Sequence, residues 1–207
     1  MNFRLTSAAG GAAALVALVG IADIRPSQAA ETVRVRGTIV SLDGSTLTVK
    51  TREGPTAALA LKPGWKVRGV ATASLGDIKP GDFVGVASLP RAAGGDGAIE
   101  VLVFPAAMKG TGEGSYPWDL KPNSTMTNAT VSNAVKEVDG RMLTLTFDGQ
   151  EKKISVAEGT PIVTFAPATN ADLKPGATVF VPAQRGADGN ISTGFVVVGA
   201  NGVVPPM

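Results

Sequence analysis

The chain has 207 residues, contains neither cysteine nor histidine, and carries a formal net charge of +2 at neutral pH. Without these two residue types the chain cannot form disulfides, thiolate or histidine-ligated metal sites, or Ser-His-Asp and Cys-His catalytic arrangements. A net charge so close to zero does not by itself indicate a nucleic-acid or membrane partner.

Residues 1–29 have the order of a secretory signal peptide. Arg4 precedes an apolar run of small residues from Ala8 to Ile21, and Arg25-Pro26-Ser27 ends this run. Cleavage is expected after Ala29, with Ala30 as the next choice, because small residues occupy both specificity positions before the cut. As a retained anchor the run is too short, since spanning a bilayer takes ~20 apolar residues. The sequence predicts a periplasmic or secreted protein with no transmembrane segment after cleavage.

Two segments of the mature chain resemble each other in residue type and in order. The matched positions are Leu42-Asp43-Gly44 with Val138-Asp139-Gly140, Gly64 with Gly159, Asp77 to Gly81 with Asp172 to Gly176, Val84 and Val86 with Val179 and Val181, and Asp96-Gly97 with Asp188-Gly189. Because the order is kept and the spacing is nearly constant, these matches indicate a duplicated domain.

Each copy alternates short β-branched runs with Gly, Asp and Pro, which is typical of strands joined by tight turns. In the first copy, Asp43-Gly44 predicts a hairpin turn between the first two strands. Five short strands with a Lys-Pro-Gly turn before the fourth favour a Greek-key barrel of the oligonucleotide/oligosaccharide-binding (OB) type. We therefore predict an all-β protein with two tandem five-stranded OB-like barrels at 32–105 and 129–199, followed by a tail at 200–207.

The predicted barrel cores consist of alternate apolar positions along these strands. In the first copy they are Val35, Ile39, Leu47, Val49, Val84, Val86, Val101 and Val103, and in the second copy Val131, Val135, Leu143, Leu145, Val179, Val181, Val196 and Val198.

The segment 106–128 lies between the two copies and is rich in Gly, Ser, Thr and Asn, but it also contains Tyr116-Pro117-Trp118-Asp119-Leu120. A flexible tether needs no aromatic residues, whereas burying one contributes a few kcal/mol. We predict an ordered linker in which Trp118 packs between the barrels. The cleft beside Trp118 is then a candidate ligand site, because domain junctions supply concavity; the alternative is an anchor that binds no ligand.

These residues resemble a bacterial family of exported proteins with tandem OB-like domains and no established function. The resemblance rests on Gly37-Thr38-Ile39 leading into Asp43-Gly44, on the turn Lys79 to Asp82, and above all on Pro117 to Leu120 with Ser124 to Val131. It implies two OB-like barrels and an exported protein. The fold also looks like that of small periplasmic copper chaperones, which bind metal through His, Met and Trp. This chain has no His and its Met residues are scattered, so the resemblance does not imply a metal site.

Carboxylates are the remaining candidates for acid–base chemistry. They occur in equivalent pairs at turns, namely Asp43 with Asp139, Asp77 with Asp172, and Asp96 with Asp188. Turn formation explains each of them without catalysis.

Basic residues concentrate in the first copy. Arg34 and Arg36, and likewise Lys50 and Arg52, lie two positions apart and so face the same way in a strand. If their strands are neighbours, a basic stripe follows, which could hold an anionic polymer. The alternative is a solvated face with Glu31 and Glu53 as counter-charges.

The predicted ligand-binding residues are Tyr116, Trp118, Asp119, Arg34, Arg36, Lys50 and Arg52, and no catalytic residue, metal ligand or cofactor is predicted. The sequence favours an exported, non-catalytic binding or scaffolding protein whose partner is an envelope protein or a glycan. Nucleic acid is disfavoured because an exported protein rarely meets it. The alternative functions are an accessory role in periplasmic metal homeostasis and a carboxylate-dependent hydrolase.

Overall fold

The computed structural model describes residues 31–200 and 202–205, so the predicted signal peptide lies outside the described residues. The described residues form an all-β protein, which confirms the predicted class. Its strands are β1 (Glu31–Asp43), β2 (Thr46–Thr51), β3 (Thr56–Thr72), β4 (Phe83–Pro90), β5 (Asp96–Val103), β6 (Gly114–Trp118), β7 (Ser124–Glu137), β8 (Gly140–Phe147), β9 (Gln150–Ala157), β10 (Ile162–Ala166), β11 (Thr178–Arg185) and β12 (Ile191–Gly199). Three short 3₁₀ helices span Leu75–Asp77, Ala106–Met108 and Asn170–Asp172, and no helix among the described residues is long and apolar enough to cross a bilayer.

A closed five-stranded barrel is formed by β1, β2, β3, β12 and β11. The strands pair antiparallel around this ring, except that β12 pairs parallel with β3 from Ile191 opposite Leu59 to Gly199 opposite Val70. Alternation along the strands directs one face of each inward, as in small barrels generally. The interior contains Val35, Ile39, Leu47, Val49, Leu59, Leu61, Leu173, Val179, Val181, Ala183, Val196 and Val198.

The strands β4, β5, β9, β8 and β7 are also hydrogen bonded in a ring. The last connection is a short parallel pairing in which Asp96 lies opposite Ile154 and Gly97 opposite Ser155. A second group of buried residues fills this ring: Ile78, Val84, Val86, Val101, Ala129, Val131, Leu143, Leu145, Phe147, Ile154, Val156 and Ile162.

Each ring takes strands from both sequence copies, which differs from the expectation that five consecutive strands pair among themselves. The first three strands of copy one close with β11 and β12 of copy two, and the first three of copy two close with β4 and β5 of copy one. The connections that cross between the rings contain equivalent 3₁₀ helices. In each one, the carboxylate of the last helical residue accepts hydrogen bonds from the backbone N–H and the hydroxyl of the residue before the helix. Asp77 accepts from Ser74, and Asp172 accepts from Thr169. Because the copies are alike, a strand pair from either copy fits either ring, so the side-chain pattern does not distinguish the two pairings.

Between the rings, β10 pairs antiparallel with β3 and parallel with β5. Val70 lies opposite Phe165 in this ladder, and the spacing between these two residues equals that between Asp77 and Asp172. The two copies therefore meet here at equivalent positions, as in a two-fold interface. The buried residues at this junction are Val70, Leu102, Val163, Phe180 and Val197, with Phe104, Trp118, Phe165, Phe195 and Val203 packed against them.

Most of the predicted core residues are buried. Val103 is only partly buried, and the prediction that Val135 is a core residue is wrong because Val135 is 51% exposed. A β-bulge between Val131 and Asn133 shifts the alternation, so that Ala134 packs inward and Val135 points outward. Such an extra residue on one strand inverts the face of every residue that follows it.

Candidate functional site

The linker segment that carries the aromatic residues is a β-hairpin. Strand β6 pairs with the start of β7, with Trp118 opposite Ser124, and the turn contains Asn123 at a positive φ of 63°. Ser124 is buried, and its hydroxyl lies 3.0 Å from the Trp118 carbonyl oxygen and 2.7 Å from that of Lys121. The single O–H of Ser124 thus donates to the backbone carbonyls of the turn, as a short side chain at a turn commonly does. The hairpin therefore holds Trp118 and Asp119 on a fixed backbone.

Trp118 packs against the outer face of the closed barrel. The guanidinium carbon of Arg34 lies 4.0 Å from the centre of the Trp118 ring, and Phe180 contacts the indole with a centroid distance of 6.4 Å. Tyr116 lies edge-on to the indole at 6.1 Å. An arginine stacked over tryptophan at this distance makes a favourable cation–π contact.

Alternation along β1 explains why both arginines reach the indole. Val35 faces the barrel interior, so Arg34 and Arg36 face outward. Arg36 lies opposite Phe180 in the ladder with β11, and its guanidinium carbon lies 5.1 Å from the Phe180 ring centre and 5.8 Å from that of Trp118. Arg36 is only 6% exposed, whereas the side chain of Arg34 is 23% exposed.

Asp119 is the counter-charge of this arginine pair. Arg36 donates a hydrogen bond of 2.7 Å to one carboxylate oxygen, and the other oxygen lies 3.7 Å from Arg34. Partial burial raises the pKa of Asp119, but the hydrogen bond and charge of Arg36, with the charge of Arg34, outweigh it and hold the pKa below its usual range. The predicted counter-charge Glu31 instead pairs with Arg185 at 3.3 Å.

Tyr116 is half-buried and its hydroxyl accepts a hydrogen bond of 3.0 Å from the side-chain amide of Asn128. Burial raises the pKa of Tyr116, and the nearby charge of Arg34 opposes this only in part. The phenol is therefore neutral at physiological pH and can act as a hydrogen-bond partner. The indole N–H of Trp118 is buried without a hydrogen-bond partner among the described residues.

Arg34, Arg36, Tyr116, Trp118 and Asp119 form one cluster of contacting side chains. The remaining predicted site residues, Lys50 and Arg52, are exposed and lie next to this cluster. Strands β1 and β2 are neighbours, with Thr38 opposite Lys50, and the backbone N–H of Arg52 donates to the carbonyl of Arg36 at 2.9 Å. The two residues thus extend the basic stripe to β2 and to the turn that follows it. The structure brings five of the seven predicted residues into mutual contact and places these two at the edge.

A cleft of about 570 Å³ continues from the hairpin along the junction. Its lining combines the Arg52 and Glu100 side chains with apolar residues, including Leu120, Ile162 and Val203. Glu100 is 3% exposed, so a carboxylate is buried in the wall of the cleft.

The turn carboxylates do not gather into a site. Asp77 and Asp172 accept hydrogen bonds from Ser74 and Thr169 respectively, and these bonds lower the pKa of each carboxyl. Hydrogen bonding to Asn190 lowers the pKa of Asp188 in the same way. Within 31–200 and 202–205, no three His, Cys, Asp or Glu residues are grouped to hold a metal ion.

Sequence analysis did not identify Phe180 and Asn128 as parts of the cluster. Phe180 lies between the inward-facing Val179 and Val181, so its outward direction follows from alternation. Its position beside Arg36 depends on the exchanged pairing of β11 with β1, which no local pattern reveals.

Comparisons with protein-family models, with curated proteins and with solved structures found no match for this chain.

Proposed function

We propose that this chain is an exported, non-catalytic binding or scaffolding protein that presents the cluster of Arg34, Arg36, Tyr116, Trp118 and Asp119 to an acidic partner in the cell envelope. We further propose that its two strand rings are OB-type barrels. In the first ring, β1, β2 and β3 form an antiparallel meander, and the ring is completed by the pair β11 and β12, of which β12 runs parallel to β3. This strand order supports the assignment.

One observation carries the proposal. Arg34 is stacked over Trp118 and held beside Asp119, yet about a quarter of its side chain stays exposed, at 23%. A guanidinium fixed in this way loses little conformational freedom when it binds, which favours the bidentate recognition of a carboxylate. Lys50 and Arg52 add positive charge beside it.

An acidic glycan or an acidic protein surface supplies such carboxylates. Asp119 lies 2.7 Å from Arg36 but 3.7 Å from Arg34, so the Arg34 guanidinium keeps the capacity to bind a second carboxylate.

The test measures binding of two fluorescent probes, polygalacturonate and polyglutamate, to the mature protein at about 0.15 M salt. Arg34→Gln is expected to weaken binding at least about tenfold, because a charge-assisted hydrogen bond contributes about 1.5–3 kcal/mol. Arg68→Gln removes the same charge from an exposed position of β3 and is the matched control, with less than about a twofold change expected. Equal losses in both variants, or no binding of either probe by the unmodified protein, would contradict the proposal.

A further inference from the structure

The strand pairings divide between two halves of the chain in an unequal way. Residues 31–110 contain β1 to β5, and residues 111–205 contain β6 to β12. Within the first half, β1 pairs with β2, β2 with β3, and β4 with β5, but the three-stranded meander does not pair with the β4–β5 hairpin. Each half alone therefore contains pieces of two barrels and no closed ring.

Every ring is closed by pairings that cross between the halves. These are β1 with β11, β3 with β12 and β10, β4 with β7, and β5 with β9 and β10. An isolated half would expose unpaired strand edges and both faces of its apolar strands, which are strong templates for pairing with another chain.

The contacts of the candidate ligand site also cross between the halves. Arg34 and Arg36 belong to the first half, whereas Trp118, Asp119 and Phe180 belong to the second. Neither half carries the cation–π contact or the ion pair by itself.

We infer that the two halves of this chain are mutual binding partners that fold only on each other, so that the halves of two copies can exchange. The chain is a single-chain form of a strand-exchanged dimer. The covalent connection between the halves raises their effective concentration and is not needed to hold the barrels together.

The connection offers a suitable place to test this inference. Lys109, Gly110 and Thr111 are exposed, and a Cβ added at Gly110 would meet no atom within 4 Å beyond its chain neighbours. A protease recognition site inserted after Gly110 allows the folded full chain to be cut once. Trp65→Phe in the same protein leaves Trp118 as the only tryptophan, so its emission reports the contact between the halves.

After cutting, we expect the two fragments to elute together at the size of the uncut chain, with Trp118 emission unchanged. The urea midpoint of the cut protein should fall with each tenfold dilution, because unfolding now separates two molecules, whereas the midpoint of the uncut chain should not change. Cut protein carrying a tag on one half should exchange that half with untagged cut protein. Two separately folded fragments, or a midpoint independent of concentration, would overturn the inference.

A second variant tests the same pairing without an insertion. Thr32 lies opposite Gln184 across the halves, and both side chains are exposed. Because the chain has no cysteine, Thr32→Cys with Gln184→Cys can form only one disulfide within a chain, and this disulfide is compatible with the spacing of opposite residues. Thr32→Cys with Leu89→Cys is the matched control, since Leu89 is the equivalent of Gln184 in the other copy. A disulfide in the control but not in the first pair would also overturn the inference.

Discussion

Replacing Trp118 by alanine tests the packing of the hairpin on the barrel. The substitution removes the indole from its contacts with Arg34, Phe180 and Tyr116. A fully buried Trp→Ala change costs about 3–5 kcal/mol, and because Trp118 is only partly buried, the lower end of that range applies. The lost cation–π contact adds about 0.5–1 kcal/mol. We expect the free energy of unfolding to fall by about 3.5–4 kcal/mol.

The measurement is urea denaturation at pH 7 followed by far-UV circular dichroism, which does not depend on tryptophan. Trp118→Phe keeps an aromatic ring against Arg34 and is expected to cost about 1 kcal/mol. Val138→Ala is the control for loss of an apolar side chain, because Val138 is 96% exposed and should change stability by less than about 0.5 kcal/mol. A Trp118→Ala variant as stable as the Val138→Ala variant would refute the packing argument.

Gly37→Ala is expected to lower the free energy of unfolding by about 3 kcal/mol, because the added Cβ would clash with the backbone carbonyl of Lys50 and would lie 2.8 Å from Val49 Cγ1. Gly194→Ala has open space and should be nearly neutral in the same urea titration. The stability that Asp119 contributes through its lowered pKa is present above its ordinary pKa of about 3.9 and is lost as the pH falls through the folded value. The Tm of Asp119→Asn should therefore change less with pH than the Tm of the unmodified protein between about pH 5 and 2. Parallel profiles of Tm against pH would contradict this. N-terminal sequencing of protein recovered from the periplasm is expected to begin at residue 30 or 31 if the signal peptide is cleaved as predicted; an intact N-terminus would contradict that prediction.

Local patterns determined much of this fold. Alternation predicts the burial of Leu47 and Val49 in β2, of Val84 and Val86 in β4, and of Leu143 and Leu145 in β8. Gly44 adopts the positive φ of 56° that the hairpin turn requires. The prediction of Val135 failed because a bulge depends on pairing geometry and leaves little signal in a single strand.

The exchange of strands could not be predicted because it depends on a choice between two nearly equal partners. Val84 and Val179 are equivalent, and either would fill the same place in either ring. The same limitation applies to the cluster: the basic stripe and the aromatic motif were each recognisable, but their contact follows from long-range pairing.

The strand exchange also constrains how the two copies can change during evolution. In an array of independent domains, losing one copy removes one domain and leaves its neighbour intact. Here a deletion of either copy would remove strands from both rings, so no barrel would be left. A substitution in β11 must suit its neighbour β1 from the other copy, as Phe180 suits Arg36. The two copies are therefore expected to be retained or lost together. Each copy should accumulate substitutions that complement the strands of the other copy rather than its own.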